Sequence, residues 1–159
     1  MRPTRFASLG FALLMLIATR SDPARADTAG GRFGIGAMVG KPTGLSAQVR
    51  LGGPLLGSAL DAAMGLELLD NNHLYAHLDY VVFALTLVEG ESVLMPAYFG
   101  AGLFVRDATA GFGARLVGGL QIDLRHTHVG FFAEIAARMT LVDQLDGALG
   151  GSIGIRYYF

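Results

Sequence analysis

Apolar and polar residues alternate along most of this chain with a period of two. That is the repeat of a strand whose successive side chains point to opposite faces. The last twelve residues show it best. One set reads Leu149, Gly151, Ile153, Ile155, Tyr157 and Phe159; the other reads Ala148, Gly150, Ser152, Gly154, Arg156 and Tyr158. Seven earlier segments repeat the pattern, at about 32–39, 44–51, 58–67, 73–83, 95–106, 112–123 and 129–139. Short turn signals separate them: Gly40-Lys41-Pro42-Thr43, Gly52-Gly53-Pro54, Asp70-Asn71-Asn72, and the stretches 107–111, 125–128 and 143–147. The longest connection is expected at 84–94.

Almost every ionisable residue inside these segments falls opposite the apolar face; Arg32 and His73, at segment starts, are the exceptions. The set is Arg50, Asp61, Glu67, His77, Asp79, Arg106, Arg115, Asp123, Glu134, Arg138 and Arg156. A soluble sheet buries its apolar face and wets the charged one. A membrane barrel does the reverse, with apolar side chains in lipid and charges in the lumen. Alternation alone fits both. Segments near the ~9–11 residues that a tilted transmembrane strand needs favour the membrane.

The N-terminal segment points the same way. Arg2 and Arg5 precede an uncharged stretch at 6–18, and Ala24-Arg25-Ala26 follows as an A-x-A site. A spanning helix needs about 20 apolar residues, so the stretch reads as a signal peptide over 1–26, leaving 27–159 as one barrel domain. No cysteine is present, which excludes a lipoprotein anchor and disulfides. Residues 27–159 carry 8 basic and 12 acidic side chains, a net charge of −4 with neutral histidines. With no basic run, a nucleic-acid partner is not expected. The chain is 52% hydrophobic, yet its longest uncharged run after the signal, 92–105, contains Pro96, Gly100 and Gly102. Glycines two apart, such as Gly34 and Gly36 or Gly100 and Gly102, share a strand face. Placed inward, they leave room for long neighbours in a narrow barrel.

Several stretches carry a family likeness: Gly34-Ile-Gly-Ala-Met-Val-Gly-Lys-Pro-Thr-Gly-Leu-Ser46, Leu74-Tyr-Ala-His-Leu-Asp-Tyr80, Phe131-Phe-Ala-Glu-Ile-Ala136 and Gly154-Ile-Arg-Tyr-Tyr-Phe159. Together they resemble the small eight-stranded outer-membrane proteins of the OmpA and OmpX type, and more narrowly a family of bacterial outer-membrane barrels without assigned activity. The resemblance implies an all-β fold: a closed antiparallel up-and-down transmembrane β-barrel of eight strands, both ends in the periplasm. It also implies outer-membrane lipid as the surroundings and a monomeric state. Ile153, Ile155, Tyr157 and Phe159 would form the C-terminal signal read by the barrel-assembly machinery. It implies no reaction and no cofactor. Such barrels often place Trp at the membrane interfaces. This chain has none, so Tyr80, Phe99, Phe131 and Tyr157 are expected there.

Five arginines and five carboxylates in the inward set suggest a paired lumen network. Unpaired charges in so confined a space are costly. Eight strands leave a lumen that side chains fill, so a structural plug is expected, with a narrow gated ion path as the functional alternative. His77 and Asp79 share a face with Ser46 and Ser152. A lipid-modifying enzyme would need these groups within hydrogen-bond reach, and a bonded lumen histidine is the simpler reading. His126 and His128 flank Thr127, but a metal site needs a third or fourth ligand. The Gly34-x-Gly36-x-x-x-Gly40-Lys41 run has Pro42 where a phosphate loop requires Ser or Thr. The expected function is thus a structural or minor-pore outer-membrane barrel without catalysis. A soluble periplasmic, lipocalin-like barrel binding an apolar ligand is the main alternative, and it requires the two faces to be exchanged. The outer turns near 40, 70, 108 and 144 are short, which disfavours an adhesin.

Overall fold

The structure is a computed structural model and describes residues 31–52, 57–67, 73–107, 111–141 and 146–159. The signal segment and the expected turns at 53–54, 70–72 and 143–145 lie outside the described residues. Eight strands follow in order: β1 (Phe33–Gly40), β2 (Thr43–Gly52), β3 (Ser58–Glu67), β4 (His73–Glu89), β5 (Val93–Arg106), β6 (Gly111–Leu124), β7 (Val129–Thr140) and β8 (Asp146–Tyr158). Each pairs antiparallel with the next, and β8 returns to β1 to close the barrel. The strand count is that expected from the alternation, and the closed up-and-down topology is that implied by the family resemblance.

The connection expected at 84–94 is instead mostly strand. β4 runs on to Glu89 and β5 begins at Val93, with Gly90 N–H bonded to the Val93 carbonyl at 2.9 Å. Register shifts between Phe83 and Leu85, and again between Thr86 and Val88, mark irregularities in the ladder. Each extra residue breaks the period of two, so the extension does not read as a strand. The same extension moves Tyr80 and Phe99 to mid-strand, away from the rim expected for them. Phe33, Tyr157 and Phe159 group at the rim that carries the chain ends, with ring centroids 6.3 Å apart for Phe33–Phe159 and 5.0 Å for Tyr157–Phe159. The exposed Phe131 lies near the start of β7 on the same side, and Phe112 opens β6 at the other rim.

The pairing register fixes the slope of the strands. From Gly34 it passes through Gln48, Asp61, Asp79, Gly102, Arg115, Arg138 and Ala148. Ser152 lies opposite Gly40, so Ala148 is level with a point four residues past Gly40. One circuit therefore climbs by about ten residues, which corresponds to a strand tilt of about 40°. At that tilt an apolar band ~25 Å tall takes about 10 residues to cross. β2 to β8 have 10 to 17 residues, whereas β1 has 8.

The two faces of the wall differ completely. Large apolar residues stand exposed on the outside, with Leu149 80% and Ile135 75% accessible. Among the described strand residues, the register puts no Asp, Glu, Lys or Arg on that face. Inside, glycines lie beneath bulky neighbours. A Cβ on Gly34 would sit 2.6 Å from the Tyr158 ring, and one on Gly113 would sit 2.6 Å from Phe104. Gly119 makes the same room for Tyr98, Gly154 for Phe132 and Gly102 for the Asp79 carboxylate.

Gly34→Val should therefore displace the buried Tyr158 ring and cost about 1–3 kcal/mol, the usual range for overpacking. Ala37→Val, on the outer face of the same strand, should be close to neutral. The midpoint of urea unfolding in detergent micelles checks both.

Candidate functional site: the polar lumen

The inward faces of all eight strands converge on a lumen where charged side chains are as buried as apolar ones. Arg115, Asp79, Asp61, Asp123, Arg156 and Glu67 are each no more than 2% exposed. All eleven inward residues expected from the alternation face this space, with Arg50 and Arg106 the least enclosed. They divide into three levels along the barrel.

At the level nearest the chain ends, Arg50 Nη2 donates to Asp123 Oδ2 at 2.7 Å and its guanidinium lies 4.1 Å from the centre of the Tyr158 ring. Gln121 Nε2 donates to the other Asp123 oxygen at 2.8 Å. Gln48 Nε2 donates to Gln121 at 3.3 Å, and Tyr158 donates its hydroxyl proton to Gln48 at 2.8 Å. Each group here answers the next, as a buried network must.

The middle level holds two arginines. Arg115, on β6, donates to Asp79 of β4 and, at 2.6 Å, to Glu134 of β7. Glu134 also accepts from Ser152 at 3.0 Å and from the Tyr98 hydroxyl at 3.3 Å. Arg156, on β8, donates to Ser46 at 2.9 Å and to Asp61 at 3.3 Å, and lies 3.9 Å over the Phe132 ring. At the far level, Arg138 donates to Glu67 and stands over the Tyr75 ring, while Arg106 approaches Glu67 at 3.6 Å. Beside these polar groups Ala59, Val81, Phe83, Tyr98, Val117 and Ala136 pack into an apolar cluster.

The direction of the pairing is informative. Side by side in the sheet, Asp61 lies opposite Asp79 and Arg115 lies opposite Arg138. Like charges in directly opposed positions repel. Their partners come from across the lumen: Arg156 for Asp61, Arg115 for Asp79 and Glu67 for Arg138. Glu134 lies opposite Gly119 on β6 and Ser152 on β8, so Arg115 and Arg156 are each four residues from its level on the two adjacent strands, and the carboxylate takes Arg115. Alternation identifies the inward face but says nothing about which strand will answer which. Tyr75 and Tyr98, missed as polar lumen groups, were detectable: they share strand parity with His77 and with Gly100.

The other candidate chemistry does not assemble. His77 Nε2 lies 3.7 Å from Asp79 Oδ2, beyond hydrogen-bond length. Ser46 is engaged by Arg156 and Ser152 by Glu134, so no serine meets His77 as a nucleophile meets its base. His128 Nδ1 is 2.8 Å from the Tyr158 carbonyl, and its ring stacks on Tyr157. Among the described residues no group of three or more His, Asp or Glu side chains has a geometry for holding a metal. Residues 34–40 are strand, not a phosphate-binding loop.

Glu134→Ala strips Arg115 of one of its two carboxylates and removes the acceptor of Ser152 and Tyr98. It should destabilise the barrel by about 3–5 kcal/mol, the cost of leaving a buried charge without its partner. A shift of the unfolding midpoint in micelles measures this, and Glu134→Gln should lose less.

Comparison of the chain with protein-family models, with curated proteins and with solved structures gave no match.

Proposed function

We propose that this protein is an integral outer-membrane β-barrel of the small eight-stranded kind, with a structural role and a sealed lumen. One observation carries the reading: the wall is inverted relative to a soluble protein. Its described outer face is apolar and free of Asp, Glu, Lys and Arg, and its charges are enclosed. In water such a surface would be one large apolar patch, which soluble monomers avoid. In a bilayer it is the required surface, and a closed barrel leaves few backbone groups without partners.

The lipocalin-like alternative needs an apolar interior. Here the interior holds five arginines and five carboxylates in ion-pair contacts, all but Arg115–Glu134 between non-adjacent strands. A pore needs a continuous aqueous path, whereas the lumen is crossed by ion pairs and filled beside them by Phe83, Tyr98 and Val117. The antiparallel topology brings both described ends to one side, which in this reading is the periplasm. The exposed row Ile153, Ile155, Tyr157 and Phe159 on β8 then serves as the assembly signal.

The test is expression with the native N-terminal segment, followed by electrophoresis of the outer-membrane fraction with and without boiling. A membrane-resident band that shifts on boiling is expected. A soluble periplasmic band of fixed mobility would contradict the proposal. In planar bilayers the folded protein should show no steady conductance; regular single-channel steps would restore the pore reading.

A further inference from the structure

The barrel is zipped unevenly at its closing seam. β1 meets β8 only from Gly34 opposite Tyr158 to Gly40 opposite Ser152, and the last bond there runs from Lys41 N–H to the Gly151 carbonyl at 2.9 Å. β8 continues to Asp146, and among the described residues no strand pairs with 146–150 on that side. The strand tilt makes this a notch in the wall, because the short β1–β2 hairpin ends below the rim. Ala148, inward by parity, is exposed there. An open strand edge is not tolerated against hydrocarbon unless something polar covers it.

The sill of the notch is cationic. A Cβ added to Gly150 would lie 3.2 Å from the Lys41 carbonyl and 3.6 Å from Arg138 Nη2, so both residues border the same opening. Arg138 and Arg106 share the single carboxylate of Glu67, and the Nε of each is buried without a hydrogen-bond partner. The Arg138 side chain is 6% exposed. Directly below, on the outside, a shallow and mostly apolar groove of about 630 Å³ is lined by Val39, Leu120, Ile135 and Ile153, with Glu134 and Ser152 also bordering it. Gly151, whose carbonyl accepts the last seam bond, also lines the groove. Basic residues above a mostly apolar groove fit an anionic head joined to an acyl chain.

We propose that this seam binds an anionic, phosphate-bearing lipid of the outer leaflet. Its headgroup would sit at Lys41 and Arg138, and one acyl chain would lie in the groove. The assignment rests on the outer-membrane reading. A second copy of the chain fits less well, because the described outer wall offers no carboxylate to meet the sill.

The test uses the full chain folded into vesicles, then extracted with phosphatidylglycerol and phosphatidylcholine of equal chain length and weighed intact by native mass spectrometry. Two cations beside an anionic lipid predict a preference for phosphatidylglycerol of roughly tenfold or more. Lys41→Gln should lower that ratio several-fold. Gly150→Leu, which fills the opening, should abolish it while the boiling shift persists. Equal retention of both lipids, an unchanged ratio in the two variants, or a lipid-free dimer would each overturn the site and leave the membrane reading standing. A chain that shows no boiling shift in either vesicle would overturn both.

Discussion

Charge pairing across the lumen is the constraint on which the rest of this structure depends. Within the sheet, Asp61 neighbours Asp79 and Arg115 neighbours Arg138, so the β3–β4 and β6–β7 hairpins each carry a like-charge pair, and of these four groups Arg115 alone meets an opposite charge within its own hairpin, at Glu134. The remaining relief arrives when non-adjacent strands face each other across a closed barrel, through Arg156 to Asp61, Arg115 to Asp79 and Arg138 to Glu67. Buried ion pairs often add little net stability compared with apolar replacements, but breaking one is costly. Their arrangement here therefore matters most for which topology is acceptable: closure of the ring answers charges that an open sheet would leave opposed.

Enclosing these long side chains sets the composition of the wall. The interior has to take in Tyr158, Phe104, Tyr98 and Phe132 as well as five arginines, and the glycines at 34, 113, 119 and 154 give the rings their space. The outer face has no such crowding and carries the large aliphatic residues. The short β1 strand departs from the pattern. It is too short to cover β8, and the uncovered edge lies beside Lys41 and Arg138. Barrel closure and the lateral opening thus come from the same seam.

Much of this was legible from residue parity alone. Eight alternating segments gave the strand number, and the face shared by the ionisable residues gave the lumen set from Arg50 to Arg156. Three things were not legible. The β4–β5 extension escaped notice because irregularities near Leu85 and Val88 shift the alternation out of phase. The partners of Asp61 and Glu67 depend on the stagger of the barrel, which is a sum of eight registers and leaves no mark on any one segment. The interface role expected of Tyr80 and Phe99 failed for the first reason: with the extension included, both lie mid-wall.

The central claim is that the apolar face of the wall meets lipid and the charged face is enclosed. The chain has no cysteine, so one introduced cysteine gives one spin label. Labels at Ile135→Cys, on the outer face, and at Ser152→Cys, on the inner face of the adjacent strand, should be compared for collisions with oxygen, which concentrates in lipid, and with a water-soluble nickel complex. The account predicts strong oxygen contact and weak nickel contact at position 135, and little contact with either at position 152. Strong nickel contact at 135 would show that face in water and contradict the account.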